Sequence, residues 1–502
     1  MKRTGERSAL PSAMAKRLCT YIDSLEDVSQ PVVRLASPEE LHTKFKEAGI
    51  SMSLLGEQKA ESDEKLMQAT ELLLQYSVRT GHPLFFNQLY GRADPVSIAA
   101  DWASVATNTN CHTYEVAPVY TVMEREVLAK IASIIGGDFA KAHDGLFVPG
   151  GSLSNLYGMV LARNIHDPEF ATRGAVGGPH MVAFTSDQSH YSYLKSCRLT
   201  GLGSNNLISV ESDGQGRMSA AALEAAVVQA KKEGKKPFFV GATAGTTVLG
   251  AYDPFTDIAE VCKRHDVYLH VDACWGGGTM FSEKHKHTMS GVELADSIAW
   301  NPHKMSGLTL QCCAFITRHD RLLAKVNGTR AAYLFQPDKL HADLDTGDKT
   351  IQCGRKTDMF KLWLTWKAKG DAGMAEVVDH CIALADFMAD RIRSDVTGSW
   401  KLVYEPSCSN VCFWFVPEKL RPFSWEGATQ VQLDEIHKVA PLIKNEMQRT
   451  GDAMIGFQAV NGRPNFFRIV FAASDIVTQQ HIEDMMDRIA KIGNEEYNKI
   501  SS

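Results

Sequence analysis

Residues 267–278 read VYLHVDACWGGG, an apolar run that ends at Asp272 and is followed by a run of glycines. A short apolar run bounded by glycine is typical of a buried strand in a parallel sheet. Asp272 then lies at the carboxyl end of this strand. It is either an ordinary turn aspartate or a buried carboxylate held for a cationic partner, because an unpaired charge there would be unfavourable.

Similar strand-like runs occur on both sides of this segment. Short apolar runs alternate with helical patterns from about residue 106 to residue 375. This alternation predicts an α/β fold with a mainly parallel sheet and helices on both faces. The strand-like segments are HMVAFTS, KPFFVGATAG, VYLHVDA, DSIAWN and LQCCAFITR. In such sheets ligands bind at the carboxyl ends of the strands. We therefore expect the functional residues to follow these segments.

The flanking regions differ from this central pattern. Residues 1–55 have weak periodicity and are predicted to be a weakly ordered N-terminal extension. A helical segment follows over residues 56–105, with Ser62 as its N-cap. Residues 106–375 form the predicted large domain. Over residues 376–502, helical patterns surround the strand-like runs SNVCFWFV and NFFRIVFA, which predicts a smaller C-terminal α+β domain.

Composition limits the classes of protein to consider. A chain of 502 residues with 44% hydrophobic and 22% charged residues is typical of a soluble globular protein of two or three domains. The net charge is −6 and the Lys and Arg residues are dispersed, which argues against nucleic acid or an anionic membrane as a partner. The sequence contains no secretory signal or membrane span, so we expect a cytoplasmic location and a small-molecule substrate. The 11 cysteines lack metal-ligand spacing and are interpreted as reduced, mostly buried thiols.

Polar side chains gather after the predicted strands. In GLFVPGGSLSNLYGMVLARN (145–164) a strand, a glycine-rich turn with Ser152 and a helix follow one another. Free N–H groups at a helix start suit a phosphate, although a plain tight turn explains the pattern equally well. His190 and Thr243 follow two other strands, and Lys304 follows a third, in NPHKM. Alone, His190 is equally a loop histidine, and Lys304 is more often a solvated surface residue.

Together these side chains supply an anion cradle, a carboxylate, an imidazole and a lysine around one sheet edge. Pyridoxal 5'-phosphate (PLP) requires such a set. It carries a phosphate, a pyridine nitrogen that must stay protonated, a flat ring that needs packing, and an aldehyde that condenses with a lysine amine. We therefore predict PLP as the cofactor.

Further motifs resemble the group II PLP-dependent decarboxylases of fold type I, in the branch that contains glutamate, cysteine sulfinate and acidic amino acid (aspartate) decarboxylases. The resemblance extends from about Leu66 to near the C-terminus. Its motifs stand in the family's order: FFNQL, TYEVAPV, PGGSLSN, ATAGTTV, VDACWGGG, NPHKM, DTGDK, QCGRK and FFRIVF. The resemblance implies the PLP-dependent transferase fold type I and a carboxy-lyase activity.

The resemblance also implies roles for the residues at the sheet edge. Lys304 carries the cofactor covalently, Asp272 pairs with the pyridine nitrogen, and His190 stacks on the ring. The other cofactor contacts that the resemblance implies are Ser152 at the phosphate, Thr243 in the pocket and His303 next to the lysine.

At the substrate end the resemblance places Gln88, Leu89 and Tyr90 around the substrate and Arg468 against its distal acid group. The alternative for Arg468 is an outward-facing strand charge. Glutamate decarboxylases have a small serine where this chain has Tyr90, whereas relatives that prefer cysteine sulfinate or aspartate carry an aromatic residue. The predicted reactions are therefore cysteine sulfinate to hypotaurine and aspartate to β-alanine. His112, where relatives usually have Phe or Tyr, could reshape the same pocket.

Proton delivery is where the sequence departs from the family. Relatives carry a mobile loop before DTGDK in which a tyrosine donates the proton. Here the loop QPDKLHADLDTGDK (336–349) is one residue shorter, and His341 takes that place. Histidine titrates near neutrality, so His341 is either the donor or an ordinary exposed loop histidine. An ill-placed donor would divert part of the flux to an aldehyde or a transaminated cofactor.

The resemblance also implies a homodimer whose sites draw residues from both chains, with the segment 56–105 packed against the partner. An aminotransferase on the same fold is the nearest chemical rival, but the His-Lys pair in NPHKM and the order of the motifs argue against it. Two alternatives remain: a glutamate decarboxylase that forms γ-aminobutyrate, and a non-catalytic dimer partner. The intact Lys304, Asp272 and His190 argue against the latter.

Overall fold

The computed structural model of the 502-residue chain describes residues 9–329, 331, 338–473 and 475–500. The helices are α1 (Leu10–Asp23), α2 (Pro38–Glu47), α3 (Asp63–Tyr76), α4 (Pro95–Thr107), α5 (Pro118–Ile135), α6 (Gly151–His166), α7 (Phe170–Arg173), α8 (Ser192–Leu199), α9 (Ala220–Lys232), α10 (Phe255–His265), α11 (Leu322–Asn327), α12 (Met359–Arg393), α13 (Gln430–Thr450) and α14 (Gln479–Ile500). The strands are β1 (Asp144–Phe147), β2 (Met181–Ser186), β3 (Leu207–Val210), β4 (Lys236–Thr243), β5 (Tyr268–Asp272), β6 (Ser297–Trp300), β7 (Ala314–Thr317), β8 (Trp400–Leu402), β9 (Asn410–Phe415), β10 (Gly456–Gln458) and β11 (Phe466–Val470).

The central sheet of the described chain has seven strands in the order β1-β7-β6-β5-β4-β2-β3. Neighbouring strands from β3 to β6 pair in parallel, while β7 is antiparallel to both β6 and β1. Thr243 lies opposite Asp272 in the pairing of β4 with β5, and each residue ends its strand. The mainly parallel sheet predicted from the sequence is confirmed, and the carboxyl ends of its strands meet at one edge.

Helices cover both faces of this sheet, as predicted. Successive side chains of a strand point to opposite faces, so alternate residues join different apolar clusters. On β2, Met181 and Ala183 belong to one cluster, and Val182 and Phe184 belong to another. The first cluster contains residues of α6, α8 and α11, whereas the second contains residues of α5, α9 and α10.

Local sequence signals set several element boundaries. Ser62 caps α3 by accepting a hydrogen bond from the backbone N–H of Lys65, so this predicted helix start is confirmed. β7 begins later than its apolar run predicts. Gln311 O accepts a hydrogen bond from Lys361 Nζ (2.7 Å), and Cys312 N lies 3.0 Å from His303 Nδ1. Gln311 and Cys312, before β7, therefore lie in a loop where these polar groups bond to side chains instead of a neighbouring strand.

The N-terminal region is more regular than its sequence predicts. α1 and α2 both fall within residues 1–55, and α2 starts with a capping box formed by Ser37 and Glu40. Neither helix contains a buried residue, so neither contributes to the buried core. The structure describes these two helices, and the extent of the N-terminal extension stays a prediction.

A second, four-stranded antiparallel sheet has the order β10-β11-β9-β8 and contacts α13 and α14. This is the smaller α+β unit expected at the C-terminus. The predicted boundary at residue 376 falls inside α12, whose helical path breaks at Gly370 (φ 66°, ψ −179°). The division into domains therefore stays a prediction. Among the helices of the described residues, none is long and apolar enough to cross a membrane.

Candidate active site

A cleft of about 190 Å³ lies where the carboxyl ends of β4, β5 and β6 meet the turn before α6. Its lining residues are Gly151, Ser152, His190, Tyr191, Thr243, Gly245, Thr247, Asp272, Cys274, Trp275, Asn301 and Lys304. Five residues predicted from the sequence are among them: Ser152, His190, Thr243, Asp272 and Lys304. The fold thus brings together side chains from five separate segments, because the parallel strands end at the same edge.

Asp272 is the buried charge of this cleft, with 6% of its surface exposed. Its Oδ2 accepts a hydrogen bond from Asn155 Nδ2 (2.7 Å), and its Oδ1 accepts one from Cys274 N (3.0 Å). Burial alone would raise the pKa of Asp272, but the Lys304 cation and these hydrogen bonds outweigh burial and hold the pKa below its ordinary value. Asp272 is therefore an ionised carboxylate in the cleft and not a solvated turn residue.

Asn155, on α6, connects Asp272 with two histidines. Its Nδ2 also donates a hydrogen bond to Ser192 Oγ (2.8 Å), and its Oδ1 lies 2.9 Å from His270 Nε2. Ser192 Oγ in turn lies 2.9 Å from His190 Nδ1. A continuous polar network thus extends from the cleft into the interior of the sheet.

His190 is half-buried, and its ring lies beside that of Tyr191, with centroids 4.3 Å apart. Burial lowers the pKa of His190, although the Asp272 carboxylate opposes this shift. The imidazole is therefore neutral near physiological pH. A neutral ring can pack against an aromatic ligand without adding a second positive charge to the cleft.

The polar groups of the cleft fit PLP. α6 begins at Gly151, after Gly150 with φ 91°, and the first N–H groups of a helix are free to bind a phosphate. A Cβ at Gly151 would collide with Cys274 Sγ, so glycine allows the close approach of these two segments. Thr243 Oγ1 is buried and makes no hydrogen bond within the described residues. Together with Ser152 and the ionised carboxylate, these groups offer partners for a phosphate, a pyridinium and a ring substituent.

Lys304 follows β6 in a tight turn. Its backbone N donates a hydrogen bond to Asn301 O (3.0 Å), and its backbone O accepts one from Gly307 N (3.1 Å). His303, predicted as a cofactor contact, is not among the residues that line the cleft. It is buried against the backbone of Cys312, and burial lowers its pKa to about 4. The structure therefore separates the two neighbours: Lys304 lines the cleft and His303 supports the loop behind it.

Arg468, on β11, lies at the side of the cleft. Its Nη1 donates a hydrogen bond to the backbone O of Thr247 (3.0 Å), a cleft residue, and its Nη2 donates one to the backbone O of Asn87 (2.8 Å). Its Nε is buried and has no hydrogen-bond partner in the described chain. Burial lowers the pKa of Arg468. Arg468 thus faces inward and is not an outward strand charge.

The predicted substrate residues Gln88, Leu89 and Tyr90 follow Asn87 directly. Gln88 is exposed, while Leu89 and Tyr90 are half-buried and pack against the main apolar cluster. The rings of Tyr90 and Phe85 have centroids 6.1 Å apart. None of the three predicted residues is among those that line the cleft. Their segment is linked to the site by the hydrogen bond between Arg468 Nη2 and Asn87 O and by the one between Asp94 N and Gly307 O in the turn of Lys304.

His341 is also separate from the cleft of its own chain. It is exposed, has a left-handed backbone (φ 58°), and its ring centroid lies 4.8 Å from that of Tyr114. The following DTGDK segment packs on His112, whose backbone O accepts a hydrogen bond from Gly347 N (2.8 Å). Residues 336–337 of the predicted loop lie outside the described residues.

Asn155, His270 and Ser192 are parts of the site that the sequence patterns did not predict. Two of them carry a signal that strand and helix periodicity could have revealed. His270 precedes Asp272 by two residues on the same strand and so shares its face, and Asn155 lies about one helical turn after Ser152. Ser192 gives no comparable signal.

The fold and the cleft define a PLP-dependent enzyme of fold type I. The chain matches the pyridoxal-dependent decarboxylase conserved domain over residues 51–416, and it belongs to this family. It is therefore a PLP-dependent carboxy-lyase, as the motifs predicted.

Individual relatives agree with this assignment. The acidic amino acid decarboxylase GADL1 of Bos taurus is 42% identical over 475 residues, which cover 93% of this chain and 87% of that protein. The crystal structure of mouse CSAD has a TM-score of 0.88 and 38% identity, and the match covers 96% of this chain and 100% of that chain. The crystal structure of Oryza sativa TDC with PLP and tryptamine has a TM-score of 0.86 with coverage of 98% and 99%, but its 24% identity supports the fold alone. The predicted resemblance to the group II branch with acidic amino acid decarboxylases is confirmed.

Proposed function

We propose that this enzyme decarboxylates short acidic L-amino acids, converting cysteine sulfinate to hypotaurine and aspartate to β-alanine. In each reaction the bond between the α-carbon and its carboxylate breaks, CO2 leaves, and a proton takes its place on the α-carbon. We expect a higher kcat/KM for each of these acids than for glutamate. The observation that carries the proposal is the inward-facing Arg468. The name of the bovine relative supports the same class of substrate.

Arg468 is preorganised for an anion. The carbonyl groups of Thr247 and Asn87 fix the plane of its guanidinium but neutralise none of its charge. No carboxylate of the described residues acts on its pKa, and its Nε is buried without a partner. A cation in this state favours an anionic ligand, and a guanidinium fork suits a carboxylate or a sulfinate equally well.

Tyr90 supports a preference for short substrates. It lies on a segment that is hydrogen-bonded at both ends. At one end Asn87 O accepts a hydrogen bond from Arg468 (2.8 Å), and at the other end Asp94 N donates one to Gly307 O (2.7 Å) in the turn of Lys304. A bulky side chain between these two anchors should shorten the space for a substrate. Discrimination by one methylene is worth about 1 to 3 kcal/mol, so we expect a preference and not an exclusion of glutamate.

The cofactor residues have the roles expected from the resemblance. When bound, PLP forms a covalent bond with an amino group and withdraws electrons from the substrate's α-carbon as CO2 leaves. Lys304 supplies the amine that holds the cofactor between turnovers, and Asp272 keeps a proton on the pyridine nitrogen. His190 packs on the ring. Ser152 and the start of α6 bind the phosphate, and Thr243 binds a ring substituent.

His341 is proposed as the proton donor in the site of the partner subunit, because it does not line the cleft of its own chain. A positioned general acid contributes roughly 10²- to 10⁴-fold to a rate. His341→Phe should therefore lower the amine yield and raise the share of aldehyde or transaminated cofactor, as measured by chromatography of the products. His42→Phe, at another exposed histidine, is the matched control. An unchanged amine yield in His341→Phe would remove this residue from the mechanism.

The proposed assembly is a homodimer. Large apolar side chains are exposed on α4 and α5, among them Val105 (72%) and Val119 (59%). Most of α4, including Val105, belongs to the segment 56–105 that was predicted to pack against the partner, and Tyr114, the ring neighbour of His341, lies between the two helices in the chain. Light scattering should give twice the mass of the chain, whereas a fully active monomer would contradict the proposal. The cytoplasmic location stays a prediction.

The decisive experiment is a product assay with cysteine sulfinate, aspartate and glutamate in parallel, without a keto-acid acceptor. Amines are quantified by chromatography and CO2 by isotope release, with the Lys304→Ala variant as the blank. The proposal expects hypotaurine and β-alanine to form with higher kcat/KM than γ-aminobutyrate. If glutamate is the best of the three, the Tyr90 argument is wrong. If PLP binds and no acid releases CO2, the non-catalytic alternative holds.

A further inference from the structure

We propose that Asn155 is a positioning residue that couples the ionised Asp272 to His190 and keeps the proton of the neutral His190 ring on Nε2. This inference rests on the cofactor roles proposed above for Asp272 and His190. It concerns how the interior of the protein sets the chemical state of both residues before any ligand binds.

The orientation of the Asn155 amide follows from the charge of Asp272. An ionised carboxylate can only accept hydrogen bonds. The group of Asn155 that lies 2.7 Å from Asp272 Oδ2 must therefore be its NH2 group. With the amide turned round, two acceptor oxygens would face each other in the buried interior, which is strongly unfavourable.

The same amide nitrogen determines the tautomer of His190. Its second hydrogen is donated to Ser192 Oγ (2.8 Å), so the hydroxyl hydrogen of Ser192 is free to point to His190 Nδ1 (2.9 Å). The backbone N–H of Ser192 lies near the same ring nitrogen (3.3 Å). A ring nitrogen that accepts from two donors carries no proton, so the proton of the neutral imidazole lies on Nε2.

His270 fixes the other side of the Asn155 amide. The amide oxygen is an acceptor, so His270 Nε2 (2.9 Å) must carry a hydrogen, and its Nδ1 then accepts from Ser297 Oγ (2.8 Å). Burial lowers the pKa of His270 to about 4, which keeps the ring neutral. The rings of Phe239 and Phe315 stack on the His270 ring, with centroid distances of 5.9 and 6.1 Å. His270 is therefore held in one position, as an anchor for the amide.

The network has one self-consistent direction from Ser297 to His190. Each donor faces an acceptor, and the single fixed charge at Asp272 decides every step. The result at the cleft is a His190 ring that presents an N–H group at Nε2 and no positive charge. Asn155 and His270 thus act through Asp272 and His190 and need not touch the cofactor.

The first test measures PLP affinity in variants of His270. His270→Leu removes both ring nitrogens, whereas His270→Gln keeps one donor and one acceptor on a side chain of similar reach. A hydrogen bond to a charged group contributes roughly tenfold to a hundredfold in an equilibrium constant. We expect His270→Leu and Asn155→Ala to weaken PLP binding to the apoenzyme by about this factor. His270→Gln should keep most of the PLP affinity of the unchanged enzyme.

A matched control separates this effect from a general loss of a buried amide. Asn465 is buried in the C-terminal unit, and its Nδ2 donates a hydrogen bond to His437 O (2.9 Å). Asn465→Ala should lower the thermal stability of the apoenzyme and leave PLP affinity unchanged. Equal PLP affinity in His270→Leu and the unchanged enzyme would overturn the coupling.

The second test observes the tautomer directly, by NMR of the apoenzyme labelled with ¹⁵N-histidine at about pH 8, where a histidine of ordinary pKa is neutral. The His190 signals are identified by their loss in His190→Gln. We expect the Nε2–H tautomer in the unchanged enzyme and in Ser192→Thr, and a weaker preference for it in Ser192→Ala, which keeps only the backbone donor. An Nδ1–H tautomer in the unchanged enzyme would overturn the proposal.

The cofactor role of Asp272 and its coupling to His190 can be refuted separately. Normal PLP binding and turnover in Asp272→Ala would refute the cofactor role of Asp272 itself. If Asp272→Ala is inactive while the Asn155 and His270 variants bind PLP normally, only the coupling is refuted.

Discussion

The two ends of the candidate site are built differently. At the Asp272 end, both carboxylate oxygens accept hydrogen bonds, and Asn155 continues the network into the interior. At the Arg468 end, the guanidinium is held by two backbone carbonyl groups and keeps a buried Nε that has no partner among the described residues. One end is a nearly complete polar network, and the other is a charge that no carboxylate of the described residues neutralises.

This difference indicates what each end binds. A buried charge with fixed donors is preorganised for one group that remains in place through every turnover. A cation with spare donors suits a ligand that enters and leaves. We therefore expect substitutions at the Asp272 end to change cofactor state and kcat, and substitutions at the Arg468 end to change KM and substrate preference.

The largest effect should come from Lys304→Ala at the cofactor end. Without the amine, the cofactor is no longer bound covalently, and turnover should fall by roughly 10⁴-fold or more. Borohydride reduction followed by mass spectrometry checks the covalent bond, and CO2 release checks turnover. Lys325→Ala, at an exposed lysine of α11, is the control. A reducible bond that survives in Lys304→Ala would place the attachment elsewhere.

Asp272→Ala should follow, with a loss of about 3 kcal/mol or more of transition-state stabilisation, which is at least about a hundredfold in kcat. The pyridine nitrogen then loses the anion that keeps it protonated. Kinetics and the absorption spectrum of the bound cofactor measure the effect. Asp296 is a matched control, because it is also buried but lies at the amino end of β6, paired with Arg318. Near-normal turnover in Asp272→Ala would reject the role.

At the other end, Arg468→Met should lower kcat/KM for cysteine sulfinate by about tenfold to a hundredfold, mainly through KM. The substrate's distal acid group loses its charged partner, while the cofactor end is unchanged. Arg463→Met is the control. The Arg463 guanidinium lies 4.6 Å from the Tyr404 ring centroid and donates a hydrogen bond to Val403 O (3.2 Å), away from the cleft. If kcat falls and KM does not change, Arg468 belongs to the cofactor end instead.

The smallest effect is expected from Tyr90→Ser, which should raise kcat/KM for glutamate relative to aspartate by about tenfold, within the 1 to 3 kcal/mol that one methylene is worth. The smaller side chain leaves room for the longer acid. Parallel product assays give the ratio, and Tyr90→Phe should leave it unchanged. A constant ratio in Tyr90→Ser would show that another residue sets the substrate length.

Sequence patterns predicted the cofactor end better than the rest. Ser152, His190, Thr243, Asp272 and Lys304 each end or follow a strand, and parallel strands bring their carboxyl ends to one edge. The position of each of these residues at the end of its own strand was therefore enough to predict that it lies in the cleft. The patterns failed where burial is absent or polar groups intervene: α1 and α2 have no buried face, and β7 starts after a loop that bonds to side chains.

The sequence by itself determined the type of the elements around the central sheet and the chemistry at the strand ends, because both follow from the local order of apolar, polar and glycine residues. Only the tertiary structure decided which polar groups meet. Asn155 bonds to Asp272 across 117 residues, and Arg468 bonds to Thr247 across 221 residues. Such pairs depend on how distant elements pack, so no local pattern contains them. The proton positions proposed for His190 and His270 depend on these contacts, since a neighbour's charge decides which atom donates.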